Sequence, residues 1–155
     1  MLCIGEEQSW IGTRDGNGET IAEAFRFELG DRSLVRNAFA GHFPNALQLE
    51  RAIATVEDEV MRFSIQPGAT IALCDRVLLD AIRAWLGWPL QKVLLRTEDV
   101  EAAFSRIVRG VQGHPSDRPD SGHAAEFAAY ITILREMVHH WALGVIALDG
   151  TDPVS

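Results

Sequence analysis

Cysteine, lysine and tyrosine are nearly missing from this chain: Cys3 and Cys74, Lys92 and Tyr130 are all it holds of those types. The two cysteines form no CxxC and no regular spacing, which excludes a zinc ribbon and a thioredoxin-type redox motif. They can pair with each other, but they read as reduced thiols of a cytoplasmic protein. Long apolar runs are also absent. The longest, around Phe127–Leu134, stops at Arg135-Glu136 and is too short to span a bilayer. Met1–Gly5 is followed at once by Glu6 and Glu7, with no basic segment before an apolar one, so no signal peptide is read there.

Positive charge is scarce. The net charge is −8, with 11 acids against 6 bases in residues 1–66 and 11 against 8 in residues 67–155. Neither half offers the basic footprint that nucleic acid or an anionic membrane requires. A helix-turn-helix around Gly87–Thr97 would push Glu98, Asp99 and Glu101 toward phosphates, which argues against DNA. No GxSxG, Walker loop, complete GxGxxG or HExxH occurs. The basic residues other than Lys92 are all Arg, which reads as the composition of a GC-rich bacterial-type genome.

What is present is dominated by one amphipathic stretch, Asn45–Phe63. At about 100° per residue, Leu49, Ile53, Val56 and Val60 fall on one stripe, with Arg51, Thr55, Asp58 and Arg62 opposite. Asn45 is a good N-cap, and Gln48 three residues on completes a capping box. Upstream, Ser9–Arg14 and Glu19–Leu29 flank the turn residues Asp15–Gly18. Phe25, Phe27 and Leu29 alternate with Arg26 and Glu28, as in a β-hairpin, while a helix through Ile21–Phe27 competes for residues 20–29.

The pattern then predicts a helix over Leu34–Ala40, capped by Asp31 or Ser33 and closed by Gly41, and a strand at Thr70–Leu73. A helix over Arg76–Leu86, capped by Asp75, is closed by Gly87, and Val93–Arg96 reads as a strand. Thr97 caps a helix with core stripe Val100, Phe104, Ile107 and Val111. Gly110–Gly122 reads as an exposed loop, Ala124–Leu143 as a helix opened by Asp120 or Ser121 and stopped at Gly144, and Val145–Leu148 as a strand. The fold class is α+β and α-rich. Four to five helices pack around the central helix 45–63, with an N-terminal β-hairpin and a few short strands. Residues 1–150 form one domain and 151–155 a frayed tail.

Two local patterns invite chemistry and fall short of it. Asp15-Gly16-Asn17-Gly18 matches the middle of a calcium loop, but Thr13 and Ala24 stand where the first acid and the bidentate Glu belong. Gly41-His42-Phe43-Pro44 resembles the GHFP signature of hotdog-fold acyl-carrier dehydratases, whose His acts on the α-proton of a thioester. That family continues with a Pro-Gly turn and an acid on the following helix. Here Asn45–Ala52 follows and Val56 stands at the acid's place, so the residues read as a helix stop with an aromatic staple.

The last helix carries the strongest constellation. Glu136 has His139 at i+3 and His140 at i+4, so both imidazoles can lie beside its carboxylate. Glu-x-x-His is half of the motif used by di-metal helix bundles. Glu57 on the central helix can add a carboxylate if the two helices pack. Glu136, His139, His140 and Glu57 are therefore the candidate acid/base or divalent-metal residues, and no other cofactor is implied. The bland alternative is an ion-pair edge with Arg135. Trp88, just outside its helix, is a candidate interface residue.

With catalytic motifs absent, the reading is a small acidic protein-interaction or accessory module, chaperone- or adaptor-like. It would bind a protein partner or self-associate as a homo-oligomer, with no nucleic acid and no membrane as partner. The alternative is a metal-binding or acid/base enzyme built on the Glu-x-x-His-His cluster.

Overall fold

A computed structural model describes residues 1–14, 21–74, 77–89, 91–120 and 122–148. The elements among them are β1 (Leu2–Ile4), β2 (Ser9–Arg14), β3 (Ile21–Phe27), α1 (Asp31–Ala38), α2 (Ala46–Val60), β4 (Thr70–Ala72), α3 (Val77–Leu86), β5 (Leu94–Leu95), α4 (Thr97–Val111), α5 (Ala124–His140) and β6 (Val145–Ala147). The chain is α-rich α+β, as its periodicities imply. The Asp15–Gly18 turn, Asp75, Ser121 and the tail 151–155 lie outside the described residues.

β1, β2 and β3 form an antiparallel meander, with a register shift between Ile11 and Gly12. Phe27 is fully buried and its neighbour Arg26 exposed, and pairing with β2 along its length settles residues 21–27 as strand. Ala24 is skipped at the register shift, so that Glu23 and Arg26 meet in an exposed ion pair. A second sheet has the order β4-β6-β5, with β6 parallel to β4 and antiparallel to β5. The two sheets meet where Leu2 bridges Leu73 in parallel and the Cys74 N–H donates to the Leu2 carbonyl at 3.0 Å. β1, β4 and β6 therefore run in one direction, with their carboxyl ends at one edge.

α2 begins as its caps dictate. The Asn45 side chain accepts from the Gln48 N–H and the Gln48 side chain from the Asn45 N–H, both at 2.9 Å. Leu49, Ala52, Val56 and Val60 face the core, the ridge expected of this helix. α5 packs against α1, α2 and α4, and its end is fixed to the end of α2. Trp141 is 2 % exposed, lies among Phe27 and Phe63, and donates its indole N–H to the Phe63 carbonyl at 3.0 Å.

Several boundaries move for local reasons. α1 starts three residues early because Gly30 occupies the cap and the Ser33 hydroxyl accepts the Gly30 N–H at 2.8 Å. Thr97 lies inside α4. The cap position is Arg96, whose N–H is taken by Asp99 at 2.9 Å. α5 ends at His140, short of the expected Leu143, since Ala142 turns to φ +47° ahead of Gly144. The GHFP residues build no hotdog sheet: His42 is exposed and the Arg118 guanidinium lies 5.2 Å from the Phe43 ring centre.

Cys3 and Cys74 are joined in a disulfide, with Cα atoms 5.1 Å apart, which corrects the expectation of reduced thiols. The spacing of 71 residues hid a pairing that the parallel Leu2–Leu73 bridge creates. Closing a loop of 71 residues removes chain entropy worth about 4 kcal/mol from the unfolded state. Thermal melts with and without reductant, and of the Cys3→Ser/Cys74→Ser double variant, should therefore show Tm lowered by roughly 10 °C. Equal Tm values in all three samples would show that the bridge adds nothing.

Candidate functional site

A cleft of about 630 Å³ opens at the carboxyl ends of β1 and β4. This is the edge where parallel strands of open α/β sheets commonly present ligands. Its floor is the Cys3–Cys74 bridge and the chain Ile4–Glu6, and its walls include Trp10, Leu78, Phe127 and the start of α1.

Two glycines let the backbone close up beneath it. A Cβ on Gly5 would stand 2.5 Å from the Gln8 carbonyl oxygen, and one on Gly30 would stand 2.4 Å from that of Glu6. The approach at Gly30 lets the Asp31 N–H donate to the Gly5 carbonyl at 2.9 Å and the Ser33 N–H to the Glu6 carbonyl at 3.0 Å. Donors that a helix amino terminus normally offers to an anion are thus already taken by the β1–β2 turn. Outside this backbone latch, Arg32 pairs with Glu6 at 2.9 Å and Arg36 with Glu7 at 2.7 Å. Both pairs are well exposed, so each holds weakly and its arginine can change partner.

The charged lining is Glu6, Asp31, Glu126, Arg32 and His123. Asp31 is 4 % exposed, and Glu126, in the first turn of α5, lies 3.8 Å from the His123 imidazole. A second, more open hollow adjoins the cleft and shares Arg32 and Glu126 with it, adding Arg36. Arginine side chains therefore continue from one depression into the next. From the sequence, Asp31 is expected only as a helix cap, and His123-x-x-Glu126 is a reversed Glu-x-x-His spacing pointing elsewhere on the helix than Glu136, so neither reads as part of a site. The cleft joins residues from five elements, and its one local signal was Gly5 followed by paired acids.

The expected cluster on α5 forms in part. Glu57, Glu136 and His140 bring one ligand atom each to within 4.8 Å of one another, the group of this kind found among the described residues. His140 Nε2 is 3.7 Å from Glu57 Oε1 and 3.7 Å from Glu136 Oε2. His139 is left out: it is exposed, its ring 6.2 Å from that of His140. From Glu136, i+3 and i+4 turn to opposite hands, by about 60° and about 40°, and α2 lies on the i+4 side. The Glu-x-x-His half-motif is thus replaced by Glu-x-x-x-His. Arg135 donates to Glu136 at 2.5 Å and to Glu101 at 3.1 Å, so the ion-pair edge also exists. Trp88 is half-buried against the core.

By architecture these are two three-stranded sheets joined at a parallel Leu2–Leu73 bridge, with a cleft at the carboxyl ends of β1 and β4. No family model and no curated protein matches the chain. Solved structures match it in fold. A member of the Ppx/GppA protein family from Aquifex aeolicus superposes with a TM-score of 0.70 at 14 % identity, over 95 % of this chain and 50 % of that one. The type II variant of the Aquifex aeolicus Ppx/GppA phosphatase gives 0.70 at 15 %, over 95 % and 51 %. An exopolyphosphatase-like protein gives 0.62 at 13 %, over 95 % and 52 %. The chain thus spans about half the length of these structures. At such identities the likeness is one of fold alone, the fold of one half of the Ppx/GppA structures. That corrects the reading of an accessory, chaperone- or adaptor-like interaction module of unknown function, which rested on absent motifs and acidic composition. Among the described residues, no helix is long and apolar enough to cross a membrane.

Replacing Gly30 by Ala forces a methyl into the Glu6 backbone, and the variant should lose about 1–3 kcal/mol in urea unfolding. An unchanged midpoint would mean that the turn shifts freely. Hydrogen bonding by Arg36, with the charges of Arg36 and Arg32, holds the Glu7 carboxyl below its usual range. A depressed folded pKa stabilises above the unfolded value of about 4.3 and is lost as pH falls through the folded one. Carboxyl NMR should give a Glu7 midpoint below 4.3 or so, returning toward it in Arg36→Ala. Identical midpoints in the two proteins would show that the pair does not form.

Proposed function

We propose that this chain handles phosphorylated substrates as a phosphatase-type hydrolase, with the cleft at the ends of β1 and β4 as its substrate site. The observation that carries this reading is the cleft's position at the parallel strand ends of a phosphatase-like fold, with Arg32 and Glu126 common to both hollows. Phosphate recognition falls to Arg32 and Arg36, because planar guanidinium groups suit phosphate oxygens and their present partners are exposed. An arginine in each depression suits an extended substrate with successive phosphates, such as a linear polyphosphate. The likeness to an exopolyphosphatase-like protein supports that choice.

Glu126 is the residue we assign as general base. A water oxygen attacks phosphorus and its proton passes to the Glu126 carboxylate. The phosphorus–oxygen bond to the leaving group breaks, and His123 or solvent protonates the departing oxygen. Three lining carboxylates outnumber the one lining arginine, so the substrate that fits is a phosphate carrying its own divalent counter-ion.

Orthophosphate release from magnesium polyphosphate and from magnesium pyrophosphate tests this. Glu126→Gln should lower kcat roughly 10²–10⁴-fold, and Arg32→Ala should chiefly raise KM. No release from either substrate by the wild-type chain would overturn the assignment.

A further inference from the structure

We infer that Glu57, Glu136 and His140 form a binding site for one first-row divalent transition-metal ion, bridging α2 and α5 and separate from the cleft. Ten residues of α5 separate Glu136 from Glu126, a rise of about 15 Å, so this site lies outside the proposed substrate region.

Three observations converge. The His140 nitrogen stands 3.7 Å from both carboxylates, too far to hydrogen-bond to either. Metal bonds of about 2.1 Å in a tetrahedron set donor atoms roughly 3.4 Å apart. The two His140–carboxylate distances therefore need a few tenths of an ångström of side-chain adjustment, and the Glu57–Glu136 pair, within 4.8 Å, at most about 1.4 Å. Second, the Glu136 side chain is 1 % exposed. Its Oε1 takes the Arg135 guanidinium, while its Oε2 faces His140 at 3.7 Å. A carboxylate buried this deeply is costly unless cations face it. Third, Glu101 and Glu136 share the guanidinium of Arg135 while Glu57 and Glu136 face the same His140, which leaves negative charge for a dication to offset.

One imidazole with two carboxylates selects the ion class. All-oxygen cages suit Mg²⁺ and Ca²⁺, whereas nitrogen donors favour Zn²⁺ and its neighbours. Arg135, held between Glu101 and Glu136, orients the buried ligand as outer-shell partners do elsewhere. Glu57 and His140 sit at the mouth, with side chains 44 % and 27 % exposed, so the ion has a route in and positions left for water.

Titration of Zn²⁺ into tag-free, non-reduced protein, followed by calorimetry and by amide chemical shifts, tests the site. The expected result is one ion bound, with shifts centred on residues 57, 136 and 140 and Tm raised by about 5 °C at saturation. His140→Ala and Glu57→Gln remove exposed ligands without emptying the core, and each should weaken Zn²⁺ at least tenfold. His139→Ala and Glu126→Gln should leave the affinity unchanged. No Zn²⁺ bound, or an affinity untouched by both His140→Ala and Glu57→Gln, would overturn the inference and reduce the cluster to an ion-pair edge. Neither result bears on phosphate release, which is read at the other end of α5.

Discussion

Burial of α5 is the constraint on which the other elements depend. From Phe127 to Leu134 every residue is buried, so this helix shows no solvent face over two turns. A helix apolar all round must be wrapped. α1, α2 and α4 supply the wrapping, and β1 passes beside it. Two side chains break the apolar surface. The Thr132 hydroxyl donates to the Ala128 carbonyl at 2.7 Å, a local bond that satisfies it inside the helix. Glu136 instead takes the guanidinium of its neighbour Arg135. A buried carboxylate in the best-packed helix persists only with charged partners, and Arg135 from the same helix meets half of that need.

The elements with strong periodicity were legible from residue order. Asn45 and Gln48 announce the start of α2, and Leu49, Val56 and Val60 announce its face, because caps and stripes are set within four residues. Phe25 and Phe27 likewise mark β3. Short central strands leave no such trace. β1 is three residues long, and Leu2-Cys3-Ile4 has no alternation that separates it from a frayed start. Only the parallel bridge to Leu73 shows that β1 joins the two sheets, and that pairing also brings Cys3 to Cys74. The cleft was illegible for the same reason. Its residues come from β1, β2, α1, α3 and α5, brought together by strand pairing that no local pattern encodes.

Composition misled where it was asked to speak about fold. An acidic chain without catalytic motifs reads naturally as a binding module, yet net charge bears on solubility and encounter and says nothing about architecture. An acidic net charge and locally placed cations coexist here, since a charge count does not record where each charge stands. Arg32 and Arg36 stand at the cleft in exposed pairs with Glu6 and Glu7. Such pairs cancel in a charge count and still leave each guanidinium able to exchange partners.

Both candidate sites are mounted on the same rigid rod. Glu126 enters the cleft from the first turn of α5, and Glu136 and His140 reach α2 from its last turns. Groups about 15 Å apart with no shared partners act independently as a rule, so chemistry at one end need not register at the other. Coupling would require α5 to slide or rotate, and its closely packed wrapping opposes both. The Trp141 indole, hydrogen-bonded to the Phe63 carbonyl, further ties the end of α5 to the end of α2. An ion between Glu57 and His140 would therefore tighten a junction that aromatic packing already holds, leaving the cleft's own geometry to β1, β4 and the disulfide beneath it.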